Sequence, residues 1–89
     1  MELISISDSH EDRYGYGERL RAMSNVQLVE AYNCEIGNPG IVARRTDYLY
    51  HMRREFLSRN IDTSLIIQGD SMRLDFRVLI QDNRLVQVY

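Results

Sequence analysis

The chain contains no lysine and no tryptophan, and proline and cysteine occur once each among its 89 residues. A single cysteine, Cys34, excludes an internal disulfide, and Met1–Ser5 lack the basic start and apolar stretch of a signal peptide. Apolar runs such as Leu65–Ile67 and Val78–Ile80 are far shorter than the roughly 20 residues of a transmembrane helix. We therefore expect a protein of the reducing cytoplasm with no membrane partner.

Size and charge exclude further classes of protein. The length lies below the roughly 100 to 150 residues of a typical domain, which excludes a large multidomain enzyme and predicts one domain over residues 1–89. A hydrophobic share of 44% with 27% charged residues is typical of a chain that folds. The formal net charge of -2 predicts neither a uniformly basic surface for nucleic acid nor an acidic shell that imitates DNA. All 11 cationic side chains are arginine, which suits carboxylate, phosphate or protein partners, although a GC-rich codon bias accounts for this without any function.

The first part of the chain predicts a short strand, a loop and a helix. An apolar run at Leu3–Ile6 is typical of a strand, and residues 7–18 are expected to form an irregular loop. Ser24 and Gln27 form a capping-box pair, so a helix should begin there, and Gly37 is placed to end it in the left-handed region. The buried stripe of this helix comprises Leu28, Val29, Tyr32 and Ile36.

A second, longer helix is predicted from about Pro39 to Arg59. Proline at the first helical position costs no hydrogen bond, and Asn60 can close the helix in the left-handed conformation. Its apolar side carries Tyr48, Leu49, Met52 and Phe56. Because few residues separate the two helices, we expect a helical hairpin.

The C-terminal region predicts β-structure. Leu65–Gln68 is too short to assign as strand or helical turn, and Gly69 with Asp70 indicates a turn. Alternating apolar residues on both sides of Asp82 and Asn83 predict a β-hairpin in which Ile80 pairs with Leu85 and Leu79 with Val86.

We predict an α+β fold, in which a two-helix hairpin over residues 23–62 packs on a C-terminal antiparallel β-hairpin within residues 63–89. An N-terminal strand and loop occupy residues 1–22, and the sequence leaves open whether this strand joins the C-terminal sheet.

One stretch of the chain resembles a pattern in small uncharacterised bacterial proteins. The pattern is carried by Tyr32–Gly40, Ala43-Arg44, Tyr48-Leu49, Glu55-Phe56, Arg59 and Ile61-Asp62. The resemblance covers roughly Met23 to Tyr89 and implies no activity. Where the pattern has glycine, this chain has Asn60, a common substitute at a left-handed helix end.

The strand that runs into Asp8-Ser9-His10 resembles the first metal-binding motif of calcineurin-like metallophosphoesterases, in which Asp and His bind one ion of a two-metal centre. The other motifs of that family are missing, and the chain is too short for its fold. A metal-dependent hydrolase using Asp8 and His10 is therefore an alternative hypothesis, and the favoured interpretation is a solvated polar loop. Weak metal binding by Asp8, His10 and Asp12 is the remaining alternative.

Two further features offer chemistry. Asp47, His51 and Glu55 share one face of the second helix at a spacing of four, which suits an oriented imidazole or a shared metal ion but is also typical of a solvent-facing stripe. Cys34 lies near a helix C-terminus, where the dipole disfavours a thiolate, so we expect it to serve packing. The favoured interpretation therefore assigns no catalytic residue and no cofactor.

A contact surface is the favoured functional feature. We expect Tyr50, Arg53, Arg54 and Leu57 to form an exposed patch on the second helix, with the strand edge at Leu85–Tyr89 as a further docking element. Packing of these residues against the N-terminal segment of the same chain is almost equally consistent with the sequence. The prediction is a non-catalytic protein-binding or regulatory module of bacterial or phage origin that binds a protein or a second copy of itself. Weak nucleic-acid binding through Arg44, Arg45, Arg53 and Arg54 is a less favoured alternative, because these arginines are spread around the helix.

Overall fold

The computed structural model describes residues 3–5, 14–37 and 43–88, and within them the chain forms an α+β fold. The elements in chain order are β1 (Leu3–Ser5), α1 (Tyr16–Arg21), α2 (Asn25–Cys34), α3 (Ala43–Ser58), β2 (Ile67–Gln68), β3 (Ser71–Arg73), β4 (Val78–Gln81) and β5 (Arg84–Gln87). The structure thus confirms the predicted fold class and adds one helix and one sheet to it.

The added helix, α1, lies partly inside the segment that the sequence predicts to be an irregular loop, so that prediction is wrong from Tyr16 onward. Gly15 precedes the helix in the left-handed region, at φ 71°, and no side chain caps the helix start. Leu20 is fully buried, and the Tyr16 ring packs edge-on against Tyr48 of α3 at 5.0 Å between centroids. The sequence of α1 carries few helix signals. Its helical conformation therefore depends on packing against α3.

Helix α2 begins with the predicted capping box. The Ser24 hydroxyl accepts the Gln27 backbone N–H at 3.1 Å, and the Ser24 N–H donates to the Gln27 side chain at 2.9 Å. Leu28, Val29 and Tyr32 form its buried stripe. Gly37 has the predicted left-handed conformation, at φ 78°, but the helix ends earlier than predicted, at Cys34 with Glu35 as its C-cap, so Ile36 lies beyond the helix.

Helix α3 buries Leu49, Met52 and Phe56, as its periodicity predicts. Its predicted start at Asn38 and Pro39 lies outside the described residues. The predicted helix end is wrong in one detail, because Asn60 does not adopt a positive φ. The Arg59 N–H instead donates to the Phe56 carbonyl at 3.2 Å, a tight final turn that satisfies the helix end without a left-handed residue.

A three-stranded antiparallel sheet has the order β1-β3-β2. The N-terminal strand therefore joins β3, with Ile4 opposite Met72, and lies in a different sheet from the C-terminal hairpin. The ambiguous segment before Gly69 combines both predicted structures, since the Thr63 carbonyl accepts from the Ile66 and Ile67 N–H groups in a helical turn and β2 follows directly.

Strands β4 and β5 form the predicted hairpin in the predicted register, with Ile80 opposite Leu85 and Leu79 opposite Val86. Asp82 and Asn83 both have positive φ, at 54° and 60°, which is typical of a type I′ turn. Val78 and Leu85 point into the core. Because side chains alternate along a strand, the residues next to them in each strand point outward.

One hydrophobic core joins these layers. Helix α3 packs chiefly on α1, while α2 packs on β4 and also contacts α3. The largest fully buried side chains are Tyr32, Phe56, Leu20, Leu28, Leu49, Met52, Ile66, Met72, Leu74 and Val78.

Candidate functional site

Tyr50 is only 4% exposed and belongs to the core, so the prediction that it lies on an exposed patch of α3 is wrong. Arg53, one turn later, donates from Nη2 to the Gly69 carbonyl in the β2–β3 turn. Arg53 therefore contacts the β2–β3 turn, whereas the sequence offered the N-terminal segment as its alternative partner.

Arg54 and Leu57 remain at the surface. Arg54 Nη1 donates to the Tyr50 hydroxyl at 3.3 Å, and its guanidinium lies 5.9 Å from the centre of the Tyr50 ring. Leu57 is 50% exposed. The buried Tyr50 therefore positions the exposed Arg54 side chain.

A larger apolar surface lies on the side of the hairpin turned away from the core. We call it the outer hairpin face, and the pairing register assigns to it Arg77, Leu79, Gln81, Arg84, Val86 and Val88. Leu79 is 44% and Val88 is 41% exposed, with the half-buried Val86 opposite Leu79. The two arginines are exposed, and none of the six residues is acidic.

One side chain, that of Asn33, and one backbone carbonyl, that of Asp62, hold this hairpin at its edges. The Asn33 amide binds both backbone groups of Val78, donating from Nδ2 to the carbonyl at 2.8 Å and accepting the N–H at Oδ1 at 2.9 Å. On the β5 side, the Leu85 N–H donates to the Asp62 carbonyl at 3.1 Å. The predicted docking edge at Leu85–Tyr89 is therefore occupied at Leu85, and Tyr89 lies outside the described residues.

A cleft between α1 and α3 brings together residues that the sequence analysis treated separately. It measures ≈ 270 Å³ and is lined by Gly17, Arg21, His51, Arg54, Glu55 and Ser58. Glu55 Oε2 accepts from Arg59 Nε at 2.8 Å, and both of these side chains are largely buried. The Ser58 hydroxyl donates to the Glu55 carbonyl at 2.7 Å. The sequence signal for this site was the spacing of His51 and Glu55, whereas Arg21 carried no signal because α1 was not predicted.

The residues named as metal candidates do not form a metal site where the structure describes them. Asp8, His10 and Asp12 lie outside the described residues. Asp47 is buried, and the Glu55 carboxylate pairs with Arg59. Within residues 14–37 and 43–88, no group of three His, Cys, Asp or Glu side chains could share a metal ion.

Cys34 is exposed, so the prediction that it packs in the core is wrong. It lines a shallow depression together with Glu30, Asn33 and Arg77. The cause is that α2 turns only its Leu28, Val29 and Tyr32 side toward the core.

The arginines named for nucleic-acid binding are not presented together. Arg45 is buried, and its Nε donates to Glu35 Oε1 at 3.1 Å. Arg53 binds Gly69, and the side chain of Arg44 lies outside the described part of the chain. Of the three arginines whose side chains are described, only Arg54 is exposed, so these three do not form the row of exposed cations that binds a phosphate backbone.

The shifted pKa values have structural causes. Burial raises the pKa of Tyr32 far above its ordinary value and also raises the pKa of Tyr48. A hydrogen bond from Arg73 lowers the pKa of Asp75, and hydrogen bonds from the Ser64 hydroxyl and N–H lower the pKa of Asp62. Each of these groups lies outside the lining of the α1–α3 cleft.

Comparison of the chain with protein-family models, with curated proteins and with solved structures gives no match. The resemblance to small bacterial proteins therefore stays a prediction. Across the described ranges, no helix combines the length and the apolar character needed to cross a bilayer.

Proposed function

We propose that this chain is a non-catalytic binding module whose partner is a protein and whose contact surface is the outer hairpin face. The observation that carries the proposal is the exposure of Leu79 at 44% and Val88 at 41% on one side of a two-stranded ribbon whose other side is buried. Apolar side chains grouped on a surface favour association, because covering them removes apolar area from water.

Each residue of this face is expected to contribute modestly to the free energy of binding, and the contributions add up across the face. Fully burying a leucine or valine side chain contributes about 1.5–3 kcal/mol, and a side chain that is already half covered contributes roughly half of that. Leu79, Val86 and Val88 would therefore form the apolar centre of a small interface. Since Asn33 and Asp62 already fix the hairpin at its edges, little ordering of the backbone is lost on binding.

The charges on this face favour a partner other than a second copy. Arg77 and Arg84 flank the apolar centre, and the face carries no acidic side chain of its own. Two copies placed face to face would bring arginine toward arginine, whereas a partner with apolar and acidic side chains would complement both features. We place this interaction in the cytoplasm, in a regulatory role.

The test compares capture of partners from a lysate of the source cells by three baits. The wild-type chain is compared with Leu79→Ser/Val88→Ser and with Val26→Ser, a control valine that is 55% exposed on α2. The three substituted side chains are exposed, so all baits should fold, and thermal melting verifies this. We expect the double variant to lose a partner that Val26→Ser retains.

Retention of the same partner by Leu79→Ser/Val88→Ser would contradict the assignment to the outer hairpin face. Light scattering at high concentration adds a second test. A mass near 10.5 kDa agrees with a partner of different sequence, and a mass twice as large that falls in the double variant would show self-association instead.

A further inference from the structure

The α1–α3 cleft presents positive charge from both of its walls. Arg21 comes from the last turn of α1 and Arg54 from the middle of α3, and both side chains are exposed. Gly17, one turn before Arg21, also lines the cleft and contributes no side chain to the α1 wall. His51 adds an imidazole at the same cleft. A small ligand in this cleft would therefore meet two guanidinium groups from different helices.

The carboxylate in the lining does not cancel this charge. Glu55 Oε2 accepts from Arg59 Nε at 2.8 Å, so the Glu55 charge is balanced by an arginine that does not line the cleft. Among the described lining residues, Arg21 and Arg54 are therefore left as an excess of two positive charges, which matches a dianion.

Arg54 is also held in place before any ligand binds. Its Nη1 donates to the Tyr50 hydroxyl at 3.3 Å, and its guanidinium lies near the ring of the buried Tyr50. A guanidinium positioned in this way loses less side-chain freedom on binding an oxyanion.

The size of the cleft suits a small ligand. A volume of ≈ 270 Å³ exceeds what one phosphate ion needs and lies just below the usual range for drug-sized ligands, roughly 300–1,000 Å³. A tetrahedral dianion offers several oxygens to two planar guanidinium groups, whereas a single carboxylate offers two oxygens and one charge.

We propose that the α1–α3 cleft binds the phosphate group of a small phosphate monoester, with Arg21 and Arg54 on opposite sides of that group and His51 beside it. This site is independent of the outer hairpin face, so either assignment can fail without the other.

Nuclear magnetic resonance titration of the wild-type chain tests the site directly. Inorganic phosphate and glycerol 3-phosphate are added at constant ionic strength, with chloride and acetate as comparison anions. We expect saturable shifts at the Gly17 amide and at the Nε–H groups of Arg21 and Arg54, with the ester binding at least as tightly as inorganic phosphate. Shifts that do not saturate, that chloride or acetate reproduces, or that the ester fails to produce would overturn the proposal.

Three variants test the clamp. Arg21→Gln and Arg54→Gln are each expected to weaken phosphate binding about tenfold, since each removes a charge-assisted hydrogen bond. The control is Arg84→Gln, which removes an exposed arginine from the hairpin and should leave the affinity within twofold. Equal weakening in all three variants would show general attraction to a cationic surface and would also overturn the proposal. Thermal melting of each variant verifies the fold.

Discussion

At the scale of single residues, Asn33 completes the edge of β4. Its amide binds the N–H of Val78 at 2.9 Å and the carbonyl at 2.8 Å, as a neighbouring strand would. A strand edge left open is a site for unwanted pairing, and here a side chain from α2 closes part of it. The same two bonds connect α2 to the hairpin that presents the outer hairpin face.

Replacement of Asn33 should therefore be costly. Asn33→Ala leaves two backbone groups of the buried Val78 without partners, and we expect the free energy of unfolding to fall by about 2–3 kcal/mol. Chemical denaturation measures this change. The control is Asn60→Ala, an exposed asparagine after α3, which should change stability by less than about 0.5 kcal/mol. Equal losses in the two variants would contradict a specific role for the Asn33 amide.

The sequence could not identify Asn33 or the burial of Tyr50, although it identified the buried stripes around them. Helical periodicity reports which side of α2 or α3 is apolar, and Leu28, Met52 and Phe56 are buried accordingly. Tyr50 lies beside that stripe and is buried, and Arg53 binds the Gly69 carbonyl in the β2–β3 turn, a contact between distant parts of the chain. Contacts between residues far apart in the chain leave no pattern in the local sequence.

At the scale of elements, the β4–β5 turn tests how local geometry stabilises the hairpin. Asn83 has φ 60°, a conformation that asparagine tolerates, glycine favours and alanine resists. We expect Asn83→Ala to lower the free energy of unfolding by about 1 kcal/mol and Asn83→Gly to preserve or slightly raise it. The Asn83 carbonyl that accepts the Asp62 N–H belongs to the backbone and persists in both variants.

Thermal unfolding of both Asn83 variants, with Gln81→Ala as a control at an exposed strand position of the same hairpin, checks this order. If alanine and glycine at position 83 gave equal stability, the positive φ would not be the constraint that the turn imposes.

The elements also show which structures a sequence specifies locally. The capping box of Ser24 and Gln27 and the hairpin around Asp82 depend on residues close in the chain, and both form as predicted. Helix α1 has glycine at its N-cap and buries only Leu20, so its turn-prone sequence predicts a loop. Packing on α3 overrides that preference, as tertiary contacts do for short helices.

At the scale of the whole molecule, the two sheets share no strand and depend on α2 for part of their connection. The Tyr32 hydroxyl donates to the Arg73 carbonyl at the end of β3 at 2.6 Å, and Asn33 binds β4. The Tyr32 ring packs edge-on against Phe56 of α3 at 6.1 Å between centroids. Tyr32 thus contacts both a helix and the segment that leads from one sheet to the other.

The buried Tyr32 hydroxyl makes the stability of the fold depend on pH in the alkaline range. Burial raises the pKa of the Tyr32 hydroxyl well above its ordinary value, so the folded chain retains this proton at a pH where the unfolded chain releases it. The contribution is fully present below the unfolded pKa of about 10 and is lost as pH rises toward the higher folded pKa. Stability of the wild-type chain should therefore decline above about pH 10.

Tyr32→Phe keeps the aromatic packing and removes the hydroxyl. We expect it to lower the free energy of unfolding near neutral pH by about 1–2 kcal/mol, because the part-buried Arg73 carbonyl loses this donor. Above about pH 10 the variant should lose stability less steeply than the wild-type chain, so the two curves of unfolding free energy against pH converge. Chemical denaturation across this pH range measures the convergence, with Tyr14→Phe, at an exposed position, as a control that should follow the wild-type curve. Parallel curves for Tyr32→Phe and the wild-type chain would show that the Tyr32 proton does not couple folding to pH, and the bond to Arg73 would then account for the neutral-pH difference alone.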